Sequence, residues 1–497
     1  MEETAQKIAD QLNFPTSIAI SPDGAIYVAE SGLPFGGAPT GGVVSKINKD
    51  GTRDRLIWDL GSPVNGLTWF EDSLLVSEGG NPSNPGRISR LYLKDGERKV
   101  IVDRLPAFGN YHTNMVVPAP DGKKLYFSQG AMTNSGIVGL DSCDLAWLQE
   151  VEHRCDIPGL DITISHFEAE SADPRGSGNA EVKTSGFAPF GTSTAGQRIA
   201  GRVPCTAAIL RCNPDGSNLE LFAWGLRNAY GLGFLGDRLL ALDQGADERG
   251  SRPIRDCPDF LYEVLQGKWY GWPDFFGGKR LTDPSQFVLA NHKELPAPEI
   301  ALVAFEPHIC TTKFAVIPQG NACAGDLIVA CFGDQKPITA PAGPRVGREY
   351  TYVSTKHWWI QSLGSQGLTR PIDVAFCSRS GQAYLLDFGE FEIGERGVIN
   401  AKAGSGALWQ APNSFPPGSI KPQVSFNNDL FPIFRQFRAP MLWRLDLTNY
   451  EHVKANADKI YQRITSKDDP MPIPPLPPLT KEQIGKFKLW IDSHFPP

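Results

Sequence analysis

The chain has 497 residues, of which 41% are apolar and 21% are charged, and its formal net charge is −7. This composition predicts a folded globular protein and excludes a disordered one. The negative charge gives no reason to expect a nucleic acid or an anionic membrane as partner.

The first seventeen residues, "MEETAQKIADQLNFPTS", are acidic and contain no apolar signal core. We interpret residues 1–13 as a helical lead-in. No run of about 20 apolar residues occurs, so we expect no membrane-spanning helix. The protein is therefore expected inside the cell, unless a leader has been removed, in which case a secreted or periplasmic location is expected.

A repeated unit begins at Phe14 with "FPTSIAISPDGAIYVAESG". An alternating apolar run meets a Pro-Asp-Gly turn and a second apolar run, which is the pattern of a β-hairpin. Similar units begin further along the chain, at Val64, His112, Ala229, Thr312 and Pro371. Most copies end with an acidic residue or a glycine just beyond the second strand.

Further strand-like segments lie between these six hairpins, such as "GVVSKINKDGTRDRLIWDL". They would complete a four-stranded sheet for each copy, and sheets arranged radially avoid exposed edges. The sequence therefore predicts an all-β fold, a six-bladed β-propeller over residues 14–415. Two long insertions are expected, at about 137–203 and 246–310.

Residues 420–497 have a different pattern, with apolar residues at helical spacing and a proline-rich stretch, "DDPMPIPPLPPLT". Thr480 and Gln483 have the spacing of a capping box and predict the start of a final helix. We expect a small α-helical appendage after the propeller. Nine cysteines form no CxxC pair, although the spacings Cys143–Cys155 and Cys205–Cys212 would permit disulfides.

In a propeller the first strand of each blade lines a central channel, so polar residues at the ends of these strands are candidates for a binding site. The hairpins bring three cations, one histidine and several amides to this position. Such a set suits an anionic ligand beside a proton acceptor. The candidates are His112, Asn114, Arg227, Asn228, Tyr230, Asp243, Gln244, Lys336, Arg370 and Asp373.

Several segments resemble the soluble glucose/sorbosone dehydrogenase family in the correct order over about 14–400. They are "NYHTNMVVPAPDGKKLYFSQG", "WGLRNAYGLGF", "DQGADERGSRP", "WYGWPDF" and "TRPIDVAFCSRSGQAYLLD". The resemblance implies a six-bladed propeller that binds pyrroloquinoline quinone (PQQ) and calcium and oxidises a sugar or a similar alcohol or aldehyde.

The same resemblance assigns roles to single residues. It implies that His112 is the catalytic base and that Arg227, with Asn228 beside it, contacts the quinone. Calcium would bind the main-chain carbonyls of Gly245 and Ala246. Two cations on later blades, Lys336 and Arg370, would hold the quinone carboxylates, to which such groups are suited.

The chain also departs from this family. Tyr230 stands where a smaller polar residue is usual, and we count it with the catalytic candidates. "GDQKPITAPAGPRVG" replaces the usual motif of the fifth blade. The tail resembles c-type cytochrome modules but contains no CxxCH, so we expect no covalent haem. No dinucleotide fingerprint occurs, so we expect no NAD.

Two alternatives follow from these departures. Without a quinone, the same pocket could act directly on an organic substrate through the catalytic candidates His112, Arg227 and Tyr230, as a lyase, isomerase, cyclase or hydrolase of specialised metabolism. Alternatively, the propeller could bind a partner without catalysis. For the enzymes the expected partner is a small-molecule substrate, and the sequence predicts no oligomeric state. The acidic run around Asp243 to Asp259 could hold calcium, or it could pair with Arg249, Arg252 and Arg255.

Overall fold

We describe the fold from a computed structural model of the chain. It describes residues 5–492 outside a set of short internal segments, namely 81–83, 145–147, 149–152, 176–179, 320–323, 334–348, 354–359, 363–368, 395–397, 412–425, 436–444, 467–470 and 473–477. Lys336 and the fifth-blade loop that contains it lie outside the described residues.

The described strands form six four-stranded antiparallel sheets, which we number in chain order. The strands of sheets 1 to 3 are Pro15–Ile20, Ile26–Glu30, Gly42–Ile47 and Arg53–Leu60; then Val64–Phe70, Ser73–Glu78, Gly86–Tyr92 and Arg98–Leu105; then Thr113–Pro118, Leu125–Gln129, Ala208–Cys212 and Glu220–Trp224. Those of sheets 4 to 6 are Ala229–Leu235, Arg238–Asp243, Pro258–Glu263 and Val303–Pro307; then Thr311–Val316, Leu327–Cys331, Glu349–Val353 and Ile360–Ser362; then Pro371–Phe376, Ala383–Asp387, Gly406–Gln410 and Gln6–Leu12.

The sheets are arranged in a closed ring. The first strands of successive sheets contact each other, and the first strand of sheet 6 contacts that of sheet 1. Both faces of each sheet are covered by neighbouring sheets, so second strands such as Ile26–Glu30 and Ser73–Glu78 are buried along their whole length. This arrangement confirms the predicted all-β propeller with few helices.

The N-terminus corrects the sequence analysis. The predicted helical lead-in is a strand, Gln6–Leu12, which pairs with Gly406–Gln410 as the outermost strand of sheet 6. Ala9 and Leu12 face the core and are buried. Pairing with an open sheet edge satisfies the backbone and buries these side chains, and this outweighs the local helical tendency. The two ends of the propeller chain therefore close the ring together.

Carboxylates at the ends of second strands hold the loops that enter the first strands. Asn13 N donates to Glu30 (2.9 Å) and Gly61 N donates to Glu78 (2.7 Å). Asn228 N and Arg370 N donate to Asp243 and Asp387, each at 2.7 Å. These bonds explain the acidic residue at the end of the repeated unit, and they fix the backbone at one end of the channel.

The first insertion, between Gln129 and Ala208, carries a short helix, Asp141–Asp144, and two small hairpins, Ile162–Thr163 with Arg198–Ile199 and Glu168–Ala172 with Glu181–Ser185. The second is shorter than expected, because Pro258–Glu263 is the third strand of sheet 4. It contains Phe275–Phe276 paired with Lys279–Arg280. A further hairpin, Phe391–Ile393 with Ile399–Ala401, forms a separate two-stranded sheet between the second and third strands of sheet 6.

Asp156 fastens the first insertion to sheet 3. Its carboxylate accepts bonds from Met132 N (2.6 Å), Thr206 Oγ1 (2.8 Å) and Thr133 Oγ1. Burial raises the pKa of Asp156 to about 6, although these bonds act in the opposite direction.

Because this pKa lies above the unfolded value of about 3.9, the folded chain binds the proton more tightly. The stabilisation of the fold by protonated Asp156 is therefore complete below pH 4, and it is lost as the pH rises through 6. Between pH 4 and 7, the free energy of unfolding of the wild type should fall by about 2–3 kcal/mol more than that of Asp156→Asn. Urea unfolding across that range measures it. Asp121→Asn, at an exposed turn, is the control, and an unchanged slope in Asp156→Asn would contradict the assignment.

The tail after the propeller is helical. It contains a π-helical turn, Phe426–Leu430, and helices Phe431–Phe434, Tyr450–Ala455, Ala457–Thr465 and Lys481–Asp492. Thr480 and Gln483 form the predicted capping box, with reciprocal bonds of 2.9 and 3.2 Å. A core that includes Phe434, Phe487 and Trp490 fills its interior. Its relation to cytochrome modules stays a prediction.

Two general findings complete the fold. All eight described cysteines are free thiols, including the two pairs whose spacing would permit disulfides. Among the described residues, no helix is both long enough and apolar enough to cross a bilayer.

Candidate active site at the channel mouth

An irregularity of pairing recurs near the start of all six first strands. In sheets 1, 2, 4 and 6 the register shifts across a single residue, which is Thr16, Asn65, Tyr230 and Ile372 respectively. In sheets 3 and 5 the shift spans two residues, Asn114–Met115 and Thr312–Lys313. Because a bulge redirects a side chain, this ring of bulges sets which groups face the channel.

Side-chain amides form a chain of hydrogen bonds around the polar part of the mouth. Asn65 Nδ2 donates to Asn114 (3.2 Å), and Asn114 Nδ2 donates to Asn228 Oδ1 (2.8 Å). Asn228 Nδ2 donates to Gln244 (2.7 Å), whose Nε2 donates to the carbonyl of Thr311 (2.9 Å). The chain links sheets 2 to 5 and fixes the orientation of each amide.

His112 lies next to this chain and is partly exposed. Its Nδ1 is 3.2 Å from the carbonyl oxygen of Ala107, which can only accept, so the ring proton is on Nδ1. Burial lowers the pKa of His112 below its usual range, and the bond to Ala107 offsets part of this effect. The neutral ring therefore presents Nε2 as an acceptor. Gly80 leaves the required space, since a Cβ there would be 2.4 Å from Nδ1.

Lys313 crosses the channel from sheet 5. Its Nζ donates to the carbonyls of Thr16 (2.7 Å) and Asn65 (2.6 Å) and lies 3.7 Å from Asp373. Burial lowers the pKa of Lys313 to about 8, although Asp373 acts in the opposite direction. The ammonium group thus connects sheet 5 with sheets 1, 2 and 6.

Tyr230 lies above this lysine, with Lys313 Nζ 5.4 Å from the centre of its ring. It packs at the edge of the apolar cluster that contains Phe14 and Phe388. Burial holds the pKa of Tyr230 well above its usual range, so the hydroxyl keeps its proton. The tyrosine therefore offers a neutral hydroxyl and an aromatic face near the channel axis.

Aromatic rings occupy the opposite part of the mouth. Phe388 contacts Phe14 and Phe332, each with ring centres 5.2 Å apart, and Phe391 at 5.4 Å. Arg370 packs on the ring of Phe332 and donates to the carbonyls of Phe332 and Phe391, both at 2.8 Å. The mouth is therefore polar over sheets 2 to 4 and apolar over sheets 5, 6 and 1.

Arg227 is almost completely enclosed at the mouth, with only 2% of its side chain exposed. Gly225 allows the turn before it, because its φ is +90° and a Cβ would lie 2.6 Å from the Trp269 ring. Arg227 Nε donates to Asn134 O (2.9 Å). Nη1 donates to the carbonyls of Gln244 (3.1 Å) and Gly245 (2.5 Å).

The other end of the guanidinium is equally engaged. Nη2 contacts Asn134 Oδ1 (2.7 Å), Asp247 Oδ2 (2.8 Å) and the hydroxyl of Tyr111. A guanidinium has five N–H donors, and these contacts use all of them. The Tyr111 ring stacks on the guanidinium, 4.4 Å from its centre.

These contacts decide how well the chain fits PQQ and calcium. Arg227 has no donor left for a quinone, and the Gly245 carbonyl already faces a guanidinium. Arg370 is turned toward two carbonyls, and Lys336 lies outside the described residues. Ala246 is buried beside this loop. The described residues in these positions therefore do not fit the roles that the resemblance assigns to them, and those roles stay predictions.

The acidic run pairs with arginines, as one of the two sequence alternatives expected. Asp247 bonds Arg249 at 3.0 Å, and Glu248 bonds Arg255 at 2.7 Å. Arg252 instead bonds Asp274 at 2.6 Å, and both side chains are completely buried. Within the described part of the chain, no group of three or more acidic, histidine or cysteine side chains is placed to hold a metal.

Comparisons with known proteins place this geometry in context. No family model and no curated protein matches the chain. Among solved structures, an oxidoreductase (glucose dehydrogenase) from Thermus thermophilus is similar over 82% of this chain and 98% of its own, with 16% identity and a TM-score of 0.50. A second glucose dehydrogenase is similar over 83% of this chain and its entire length, with 14% identity and a TM-score of 0.50.

The chain has the β-propeller fold of soluble glucose dehydrogenases. A further similar structure is the PQQ-bound form of aldose sugar dehydrogenase from Streptomyces coelicolor, with 15% identity, a TM-score of 0.47, and coverage of 82% of this chain and 96% of its own. At these identities the similarity shows the fold alone.

The structure brings His112, Asn228, Tyr230 and Gln244 together at the mouth, as the strand pattern suggested. Sequence reasoning missed three residues of this region, Lys313, Tyr111 and Asn134. The repeat pattern could have indicated Lys313, because it occupies the same position in the fifth hairpin as the candidate Asp373 occupies in the sixth. No such pattern indicated Tyr111 and Asn134, since their roles depend on contacts with Arg227.

Proposed function

We propose that this chain is an enzyme whose reaction centre is the polar part of the channel mouth, with His112 as the proton acceptor. The observation that carries the proposal is the ring itself. Nδ1 donates to Ala107, so the neutral imidazole has an acceptor at Nε2, and a general base must have such a lone pair near neutral pH. We take each of the six sheets as one blade around this centre.

The surroundings favour a small organic substrate with hydroxyl or carbonyl groups. Gln244 is partly exposed and offers an amide group, and the buried Asn114 and Asn228 hold it in place through one hydrogen-bond chain. The phenylalanines opposite would cover an apolar face of the same molecule. A mouth that is polar on one side and aromatic on the other suits such a ligand better than a compact ion.

The geometry supports proton-transfer chemistry without a quinone best, as in an isomerase, lyase, cyclase or hydrolase. Arg227 and the Gly245 carbonyl, which the resemblance assigns to the quinone and to calcium, are bonded to each other. Binding of either group would first have to break this bond. His112 needs no such rearrangement to act as a base.

PQQ- and calcium-dependent oxidation of a sugar or similar alcohol is the second candidate. It is favoured by the ordered motifs around His112, Arg227 and Asn228. In this candidate His112 would take the hydroxyl proton of the substrate, and a quinone held beside Asn228 would supply the redox chemistry. This candidate requires Arg227 to exchange protein partners for the cofactor.

One experiment separates the two. The purified chain is titrated with PQQ in calcium-containing and in EDTA-containing buffer by calorimetry, and then assayed with a panel of sugars, polyols and lactones, with and without a reducible dye. We expect no PQQ binding and substrate conversion without dye reduction. Micromolar PQQ binding with sugar-dependent dye reduction would contradict the quinone-free reaction and establish the second candidate.

A further inference from the structure

Arg227 lies in a cage of oxygen atoms. Three are main-chain carbonyls, those of Asn134, Gln244 and Gly245. The other three belong to the side chains of Asn134, Asp247 and Tyr111. Six oxygen acceptors therefore surround one buried guanidinium. Oxygen sets of this number and kind are what calcium prefers in proteins.

The protein supplies the counter-charges of the cage, because Asp247 pairs with Arg227 and the buried carboxyls of Asp243 and Asp259 also interact with the guanidinium. Asp247 contacts both Arg227 and Arg249, at 2.8 and 3.0 Å. Arg249 also pairs with Asp141 at 2.8 Å. Arg227 and Arg249 thus pair with two carboxylates, one of which, Asp247, has 45% of its side chain exposed. A divalent ion added at the Gly245 carbonyl would lie against a guanidinium and would be repelled by it.

The loop itself is held by protein groups. Asp259 accepts bonds from Gly245 N (2.8 Å) and Thr311 N (2.5 Å). Asn134 Oδ1 accepts a bond from Asp247 N (2.8 Å), and Asn134 Nδ2 donates to Asp247 O (2.8 Å). Each end of segment 244–247 therefore has a partner, and the guanidinium bonds the carbonyls between them.

We propose that the guanidinium of Arg227 is the resident cation of segment 244–247, so that the channel mouth keeps its shape without a metal ion. The guanidinium bonds the carbonyl oxygen of Gly245, which a calcium ion in this segment would need. This inference concerns how the mouth is built and does not depend on which reaction takes place there.

The first test uses the full chain without substrate. Protein treated with EDTA and protein in millimolar calcium are compared by thermal unfolding and by calorimetric titration with calcium alone. We expect equal melting temperatures, within about 1 °C, and no calcium binding. A calcium-dependent rise of several degrees, or stoichiometric binding, would overturn the proposal, whatever the enzymatic activity proves to be.

The second test removes the cation. Arg227→Ala removes the guanidinium donor from the Gln244 and Gly245 carbonyls and leaves Asp247 with Arg249 alone as its cation. We expect the melting temperature to fall by about 5 °C. Millimolar methylguanidinium should restore part of this loss, whereas methylammonium should restore less because it cannot form the planar fork. Arg227→Lys keeps the charge and replaces the alanine variant in this test if that variant does not fold. It should also have a lower melting temperature than the wild type. Wild-type stability in either variant would overturn the proposal.

Discussion

Replacing His112 by glutamine is expected to lower kcat/KM by about 10²–10⁴-fold, because the reaction would lose its proton acceptor. Glutamine can still donate a bond toward Ala107, so the fold should be retained. Burial places the pKa of His112 below its usual value. Activity in the wild type should therefore persist to pH values below about 6.5 and fall only when the ring becomes protonated. Steady-state rates between pH 4 and 8 measure both effects.

His166→Gln is the matched control, because this histidine is exposed in the first insertion and far along the chain from the site. Its kcat/KM should equal that of the wild type. Unchanged kcat/KM in His112→Gln would contradict the role of His112 as a base. If instead the wild-type chain converts no substrate of the panel, the non-catalytic binding propeller becomes the better interpretation.

The fold was largely predictable because its repeated unit is local in sequence. A hairpin needs only two alternating strands and a turn. The copy predicted to begin at Ala229, for example, is observed with its first strand over Ala229–Leu235. The N-terminal strand was not predictable in this way. Ala9 pairs with Leu408, and no local pattern indicates a partner almost the whole propeller away.

The site was predictable in position but not in contacts. Strand ends located Arg227 and Asn228 at the mouth, since a propeller brings these ends together. Whether Arg227 would face a ligand or the protein depended on Asn134 and Tyr111, which come from the insertion and from the loop before sheet 3. Their geometry follows from three-dimensional packing, so the sequence did not show that Arg227 bonds Asn134 and Tyr111. The assignment of Arg227 to a cofactor stays a prediction.

Lys313 should be the most costly polar residue of the channel to replace. We expect Lys313→Met to lower the free energy of unfolding by about 3–5 kcal/mol, because a buried carboxylate loses the ammonium group beside it. The carbonyls of Thr16 and Asn65 lose their donor in the same variant. Urea unfolding measures the change, and Lys123→Met, at an exposed lysine, should cost less than about 0.5 kcal/mol.

A double-mutant cycle separates the ion pair from the loss of packing. Asp373 also accepts bonds from Ile18 N (2.9 Å) and Ser17 Oγ (3.0 Å), which one amide oxygen in Asp373→Asn can still accept. If the charges stabilise each other, Lys313→Met should cost less in the Asp373→Asn background, by about 0.5–3 kcal/mol. Equal costs in both backgrounds would show that the carbonyl bonds to sheets 1 and 2, rather than the carboxylate of sheet 6, hold Lys313 across the channel.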